Sequence, residues 1–299
     1  MKTIESEIDK RVLAGPESCR LFHGRGRYFP GYEDLLIDWF KPVVLITLYS
    51  HSDSSWLDRL VALLVEKLAG IESIVLQQRY LKGSPSRILF GELEDEVYAV
   101  EDGLRYRLRL NSAQNIGFFP VMARGRRLVA QISPGKKILN LFAYSCSFSV
   151  TAVAAAAVQV VNLDMNRGAL ELGHLNHQIN NLDLRKVSFL PLEVFRSFSR
   201  LRKLGPFDLI ICDPPDRQGE SFQPQRDWPK LVKKLPLLLN PGGEILFCLS
   251  SPHLVPQVVQ QLVKQFYPNA QQLGIYYADD SFPEKNLEKG LNILHYRFA

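Results

Sequence analysis

The sequence predicts an α/β fold, a doubly wound sheet of seven strands, preceded by a smaller strand-rich α+β domain. Three observations predict it. From Lys136 onward, apolar strand-like runs alternate with runs of helical periodicity. Two of those strands, Ile138-Leu139-Asn140-Leu141-Phe142 and Asp208-Leu209-Ile210-Ile211-Cys212, are almost continuously apolar. A parallel sheet covered by helices on both faces requires such strands. Before Lys136 the runs are short, β-rich and divided by Gly, Pro and Ser clusters.

Taken in order, residues 1–18 are polar and of mixed charge and read as a leader with one short helix. The domain over 19–110 begins with strands at Cys19–His23, Asp34–Phe40 and Val43–Tyr49. A helix follows from Ser54-Ser55, where a serine can cap and Leu57, Leu60 and Leu64 recur at three- and four-residue spacing. Strands at Ser73–Arg79 and Arg87–Glu92 come next. Glu101-Asp102-Gly103 then marks a hairpin turn between Val97–Val100 and Leu104–Leu110. In its second arm Arg105, Arg107 and Arg109 share one face, either a solvated edge or a strip that tracks a phosphate backbone.

The domain over 111–299 carries strands at Lys137–Phe142, Gln159–Asp164, Val187–Leu190, Phe207–Asp213, Glu244–Ser250, Gln271–Tyr277 and Asn292–Phe298. Helical runs at Phe148–Ala157, Arg167–Asn180, Val194–Lys203 and Asp227–Leu239 separate the first five.

Composition excludes several classes. With 46% hydrophobic and 22% charged residues the chain can bury a core, so wholesale disorder is excluded. The most apolar helical stretch, Leu57–Ala69, is broken by Asp58, Arg59, Glu66 and Lys67 and falls short of the roughly 20 residues that span a bilayer. Met1–Arg11 has no apolar secretory core, so the cytoplasm is the expected compartment and no membrane partner is expected. Cys19, Cys146, Cys212 and Cys248 have no paired spacing, which argues against a disulfide framework and a zinc site. His174 and His177 are three apart on a helix, but with no partner motif an exposed polar face is expected and no metal is assigned. The net charge of +5 permits a nucleic-acid partner without requiring one.

Ligands of an open parallel sheet bind beyond the carboxyl ends of its strands, where strand order reverses. That rule gathers Phe142–Phe148, Asp164-Met165, Glu193-Val194-Phe195 and Asp213-Pro214-Pro215-Asp216 around one crevice. Asp164 ends an apolar strand roughly twenty residues beyond the first, the offset at which a nucleoside-binding fold sets a carboxylate for ribose hydroxyls. Asp164 or Asn166 serving only as a helix cap is the alternative. The loop Ala143-Tyr144-Ser145-Cys146-Ser147-Phe148 contains no glycine, so the dinucleotide fingerprint is absent. A ribose-bearing ligand without a phosphate cradle, such as S-adenosylmethionine, fits better. Asp213-Pro214-Pro215 ends a buried strand, and its prolines fix the backbone in an extended course. A carboxylate beside fixed carbonyls can hold an amino group or base edge for in-line transfer.

Together, Asn140-Leu141-Phe142-Ala143-Tyr144-Ser145, the Asp164 strand end, Glu193-Val194-Phe195, the strand into Asp213-Pro214-Pro215 and Leu239-Asn240-Pro241-Gly242-Gly243 resemble one family. It is the class I, Rossmann-like S-adenosylmethionine-dependent methyltransferases of bacterial large-subunit rRNA, with cytosine-5 and guanine-N7 branches. The resemblance implies S-adenosylmethionine as cofactor and RNA as partner. It implies a cofactor site at Asn140, Phe142, Tyr144, Ser145, Asp164, Met165, Glu193, Val194, Phe195 and Asp213, with Asp213, Pro214 and Pro215 facing the methyl acceptor. Gly117-Phe118-Phe119 matches a segment that precedes the family's catalytic domain.

The chain also departs from the pattern. Ser145-Cys146 stands where the family has Thr-Gly, and Pro120-Val121-Met122-Ala123 where it has Leu-Asp-x-Arg. The 18 residues before Cys19 leave no room for the RNA-binding module some members carry there. In Phe247-Cys248-Leu249-Ser250, leucine occupies the place of the cytosine-5 nucleophile. Cys248 and Cys212 are therefore expected to be buried strand residues, and a ring nitrogen is the expected acceptor. A catalytically weak or inactive RNA-binding or assembly factor with the same fold is the alternative. Arg124, Arg126 and Arg127, with Lys230, Lys233 and Lys234, extend the basic surface expected to meet RNA, unless the lysines merely solvate a helix face.

Overall fold

The computed structural model describes residues 1–11, 17–111, 114–215, 222–250 and 254–299. The chain forms two compact units, 1–121 with 279–285, and 122–278 with 286–299.

In the first unit, α1 (Lys2–Arg11) precedes β1 (Cys19–His23), β2 (Leu35–Phe40) and β3 (Val43–Leu48). Helix α2 (Ser54–Lys67) crosses to β4 (Ser73–Gln78), and β5 (Ser86–Gly91) completes a sheet in sequence order. Only β3 and β4, the pair joined through α2, run parallel. Leu57, Leu60 and Leu64 are buried at the predicted spacing. The cap, however, is Asp53, which accepts from the Trp56 N–H at 3.2 Å. A carboxylate at a helix N-terminus meets unpaired N–H groups and the positive end of the dipole, so it displaces the serines as cap.

The segment read as a leader is part of this unit's core. Ile4 and Ile8 of α1 are fully buried with Leu21, Ile37, Leu60 and Ile74. The unit also runs past Leu110, because Leu108, Leu110, Ile116 and Phe118 are buried in it. The hairpin of β6 (Tyr98–Glu101) and β7 (Leu104–Arg107) stacks Tyr106 on Phe118, ring centroids 4.7 Å apart. Residues 279–285 return to it, held by the Lys285 N–H donating to the Gly26 carbonyl and by the Arg20 guanidinium 5.0 Å from the Phe282 ring. Arg20 is itself buried against Asp38 at 2.6 Å.

The second unit opens with α3 (Ala123–Ile132), which sequence periodicity did not single out. Then follow β8 (Lys137–Leu141), α4 (Ser147–Ala154), β9 (Gln159–Asp164), α5 (Arg167–Ile179), β10 (Val187–Pro191), α6 (Phe198–Leu204), β11 (Phe207–Cys212), α7 (Pro224–Lys234), β12 (Leu239–Leu249), α8 (Pro256–Phe266), β13 (Gln271–Tyr277) and β14 (Asn292–Arg297). The seven strands lie in the order β10-β9-β8-β11-β12-β14-β13. The first five are parallel; β14 is antiparallel to both its neighbours. This is the doubly wound α/β sheet the sequence predicts. Strand order reverses between β8 and β11, which sets the crevice there. Leu139, Leu141, Val161, Ile210, Cys212 and Phe247 lie in the main core, covered by Leu201 of α6, Trp228 and Leu231 of α7 and Val259 of α8.

Candidate active site

The site is built from four strand ends in the second unit. After β8 the backbone turns through a loop in which Phe142, Tyr144 and Cys146 have φ of 57°, 46° and 59°. Three side-chain-bearing residues in this left-handed region cost energy, of order 1 kcal/mol or more each. Fixed partners hold the loop. The Ala143 N–H donates to the Leu163 carbonyl and the Cys146 N–H to the Ala143 carbonyl. Asn176 Nδ2 of α5 donates to the Ser145 carbonyl at 3.0 Å.

Asp164, at the end of β9, accepts the Tyr144 N–H on Oδ2 and the Asn166 N–H on Oδ1, each at 2.8 Å. Asn166, and not Asp164, caps α5 by accepting from the Ala169 N–H at 3.1 Å. Burial raises the Asp164 carboxyl above its ordinary range, against the two backbone N–H groups. Each oxygen keeps acceptor capacity toward a second donor, as two vicinal hydroxyls require.

Beside Asp164, Phe142, Met165, Glu193, Val194 and Phe222 line one slot. Val194 is buried and Met165 is 47% exposed at the rim. Glu193 shapes this wall through its backbone partners: its carboxylate accepts the Phe195 and Arg196 N–H groups, both at 2.9 Å. Phe222, which sequence reasoning missed, stands edge-on to Phe142 with ring centroids 5.5 Å apart. It lies outside every predicted strand end, and no local signal marks it.

The slot thus offers apolar flanks for a planar base and a carboxylate for a ribose. The residues present fit adenosine.

The predicted residues divide into those that face this slot and those that support it. Phe142, Asp164, Met165, Glu193 and Val194 line it. Tyr144 and Ser145 act through the backbone bonds given above, and Ser145 is itself buried. Asn140 turns into the core instead. Its Nδ2 donates to Asn162 Oδ1 at 2.8 Å, Asn162 donates to Ser149 Oγ at 3.0 Å, and Ser149 meets His177 Nε2 at 2.9 Å. His177 Nδ1 donates to the Gly173 carbonyl at 2.7 Å, which leaves Nε2 to accept the Ser149 hydroxyl. His177 is therefore a buried core residue, its imidazole pushed down to about 4 by burial, and not part of an exposed polar face. Phe195 packs on the main core with the Lys230 ammonium 5.4 Å from its ring, and does not line the slot.

Asp213 and Pro215 are partly buried after β11, and Pro214 is buried. Burial pushes the Asp213 carboxyl up to about 7, and the positive charge of Arg126 opposes the rise. Arg126, from α3, is 1% exposed, so it belongs to the interior beside Asp213 and not to a surface that meets RNA. Asp216 and His253 lie outside the described residues.

Several other basic groups are also engaged. Lys230 and Arg226 pair with the buried Asp227 at 2.9 and 2.7 Å. Arg107 pairs with Glu96 at 2.7 Å, and Arg105 lies over the Tyr98 ring at 4.0 Å. Among the described residues no group of three or more His, Cys, Asp or Glu side chains could hold a metal ion, and no helix is long and apolar enough to cross a membrane.

The sequence model of the S-adenosylmethionine-dependent methyltransferases matches residues 19–297. The chain belongs to that family. Its cofactor is S-adenosylmethionine. Among similar proteins is the ribosomal RNA large subunit methyltransferase K/L of Shewanella sp. (strain MR-4), 34% identical over 56% of this chain and 24% of its own length. The ribosomal RNA large subunit methyltransferase I of Shewanella amazonensis is 26% identical over 96% of this chain and 76% of its own length. The chain thus spans about a quarter of the first relative and three quarters of the second. A structure from Streptococcus mutans described as a SAM-dependent methyltransferase superposes with TM-score 0.88 at 22% identity, covering 99% of this chain and 80% of the other. A methyltransferase structure complexed with SAH gives TM-score 0.88 at 21% identity over 99% of this chain and 81% of the other.

Proposed function

We propose that this methyltransferase modifies a base of large-subunit ribosomal RNA, with a ring nitrogen as the acceptor. The observation that carries the reading is Asp213-Pro214-Pro215 at the crevice edge shared with Asp164, its carboxyl beside a buried arginine. The substrate class follows the rRNA methyltransferases to which the chain is similar.

Bound S-adenosylmethionine supplies a methyl group on a positively charged sulfur, which is already electrophilic. Asp164 would hold the ribose, and Phe142, Val194 and Phe222 would flank the adenine. Asp213, ionised above about pH 7, would accept a hydrogen bond from an exocyclic amino group of the target base, while Pro214 and Pro215 keep the adjoining backbone extended. The lone pair of the ring nitrogen is then aligned with the reacting carbon, so catalysis is by orientation.

Cytosine-5 transfer would require an accessible thiolate. Cys248 is 1% exposed within β12, opposite Ile293 of β14. Burial, and then the charges of Asp213 and Cys212, push its thiol well above the ordinary range. These features favour the ring-nitrogen reading.

The test is transfer of labelled methyl to large-subunit rRNA from cells lacking the endogenous modification, with the product nucleoside identified by mass spectrometry. A methylated ring nitrogen is expected. Recovery of 5-methylcytosine would overturn the choice of acceptor atom, and no transfer to any rRNA would overturn the substrate class.

A further inference from the structure

Cys146 occupies a demanding position in the cofactor loop. It has φ 59° and ψ 29° at the start of α4, it is fully buried, and its side chain must go into the protein. The direction that conformation imposes leads to Gly173, in the second turn of α5. A Cβ on Gly173 would sit on the Cys146 Sγ, 2.8 Å from the Cys146 Cβ and 3.3 Å from the Ser145 carbonyl carbon. Real Cβ atoms essentially never approach another heavy atom as closely as 2.8 Å. One of the two residues must therefore lack a Cβ, and in this chain it is residue 173.

Around Cys146, Ala143 and Leu170 are buried in the same small cluster, and Phe189 packs against it. The helix that leaves the gap also holds the loop, since Asn176, three residues on and on the same face of α5, binds the Ser145 carbonyl. A push on Cys146 is carried along the loop to the Tyr144 N–H that binds Asp164 Oδ2.

We propose that Gly173 is a positioning residue of the cofactor site, acting through Cys146: the missing Cβ on α5 lets a side chain stand in the left-handed turn without displacing the Tyr144–Asp164 bond. This rests on the S-adenosylmethionine reading of the slot and names the residue pair that sets its shape.

The experiment measures S-adenosylhomocysteine affinity by calorimetry, and KM and kcat with saturating RNA, in the full chain and in Gly173→Ala, Cys146→Gly and the double variant. Gly173→Ala is expected to weaken S-adenosylhomocysteine at least about tenfold and to raise the cofactor KM with little change in kcat. The double variant is expected to recover to the value of Cys146→Gly, whatever that single change costs, because its new methyl enters the vacated space. If Gly173→Ala does not fold, the double variant decides, since a folded and binding double variant is expected. Wild-type affinity in Gly173→Ala, or a double variant as weak or as unfolded as Gly173→Ala, would overturn the pairing. A wild-type chain that binds no S-adenosylhomocysteine would instead sink the cofactor reading, and the positioning role with it.

Discussion

Replacing Asp213 with asparagine is expected to stabilise the free protein at alkaline pH while abolishing methyl transfer. The carboxyl rises from an ordinary 3.8 to about 7 because burial penalises its charged form, against the favourable charge of Arg126. A raised acid makes the folded state hold a proton that the unfolded chain has released. Stability therefore falls as pH climbs from about 4 to about 7, and the penalty is complete above that. A rise from 3.8 to about 7 corresponds to about 4 kcal/mol at this one site. Asparagine imitates the protonated form and never acquires the charge. Urea unfolding of the two proteins should give nearly equal stabilities at about pH 4 and a gap of roughly 3–4 kcal/mol in favour of Asp213→Asn at about pH 8. Labelled-methyl transfer should be lost in the variant at every pH. A stability gap that does not change with pH, or a variant no more stable than wild type at pH ~8, would refute the argument that the charged carboxylate is held at an energetic cost. Retained transfer would refute its role toward the acceptor.

Other expected outcomes follow from the same geometry. Asp164→Ala removes the acceptor for the Tyr144 and Asn166 N–H groups and should weaken S-adenosylhomocysteine by about ten- to a hundredfold in calorimetry. Cys248→Ser should leave transfer within about twofold of wild type, and loss of transfer with intact cofactor binding would restore the cytosine-5 mechanism. Glu244 is buried in the middle of β12. Burial pushes its carboxyl up, but hydrogen bonds from Arg297, Lys136 and His295 prevail and hold it at about 2. Its contribution is present above its ordinary 4.5 and is lost as pH falls toward about 2. Glu244→Gln should therefore cost about 2 kcal/mol near neutral pH, discounted for the half-exposed Arg297, and almost nothing near pH ~2. Denaturant titrations at the two pH values would measure the difference.

The amino-acid sequence alone determined the strand-and-helix alternation, the buried central strands and the strand-end residues that mark the crevice. Those signals are local. A strand covered on both faces must be apolar along its length, and the polar residue that follows such a run marks the strand's exposed end. Gln159–Asp164 and Gln271–Tyr277 form over the ranges that patterning predicts. The three-four spacing of Leu57, Leu60 and Leu64 likewise marks their buried face.

Only the tertiary structure decided which polar side chains turn inward. Asn140 and Asn162 are in register on adjacent strands, and His177 reaches the same interior from a helix, so their bonds depend on strand pairing and helix placement. Arg126 looks like surface charge in Arg124-Gly125-Arg126-Arg127 until α3 sets it in the interior beside Asp213. Phe222 reaches the slot from a segment without periodicity. The departure at Cys146 is a loss when read along the chain, because glycine is the residue that adopts its backbone conformation most easily. In three dimensions Gly173, on the neighbouring helix, offsets it. Sequence pattern reports which face of an element is apolar, whereas steric complementarity and buried charge pairs join residues far apart in the chain, and folding alone brings them together.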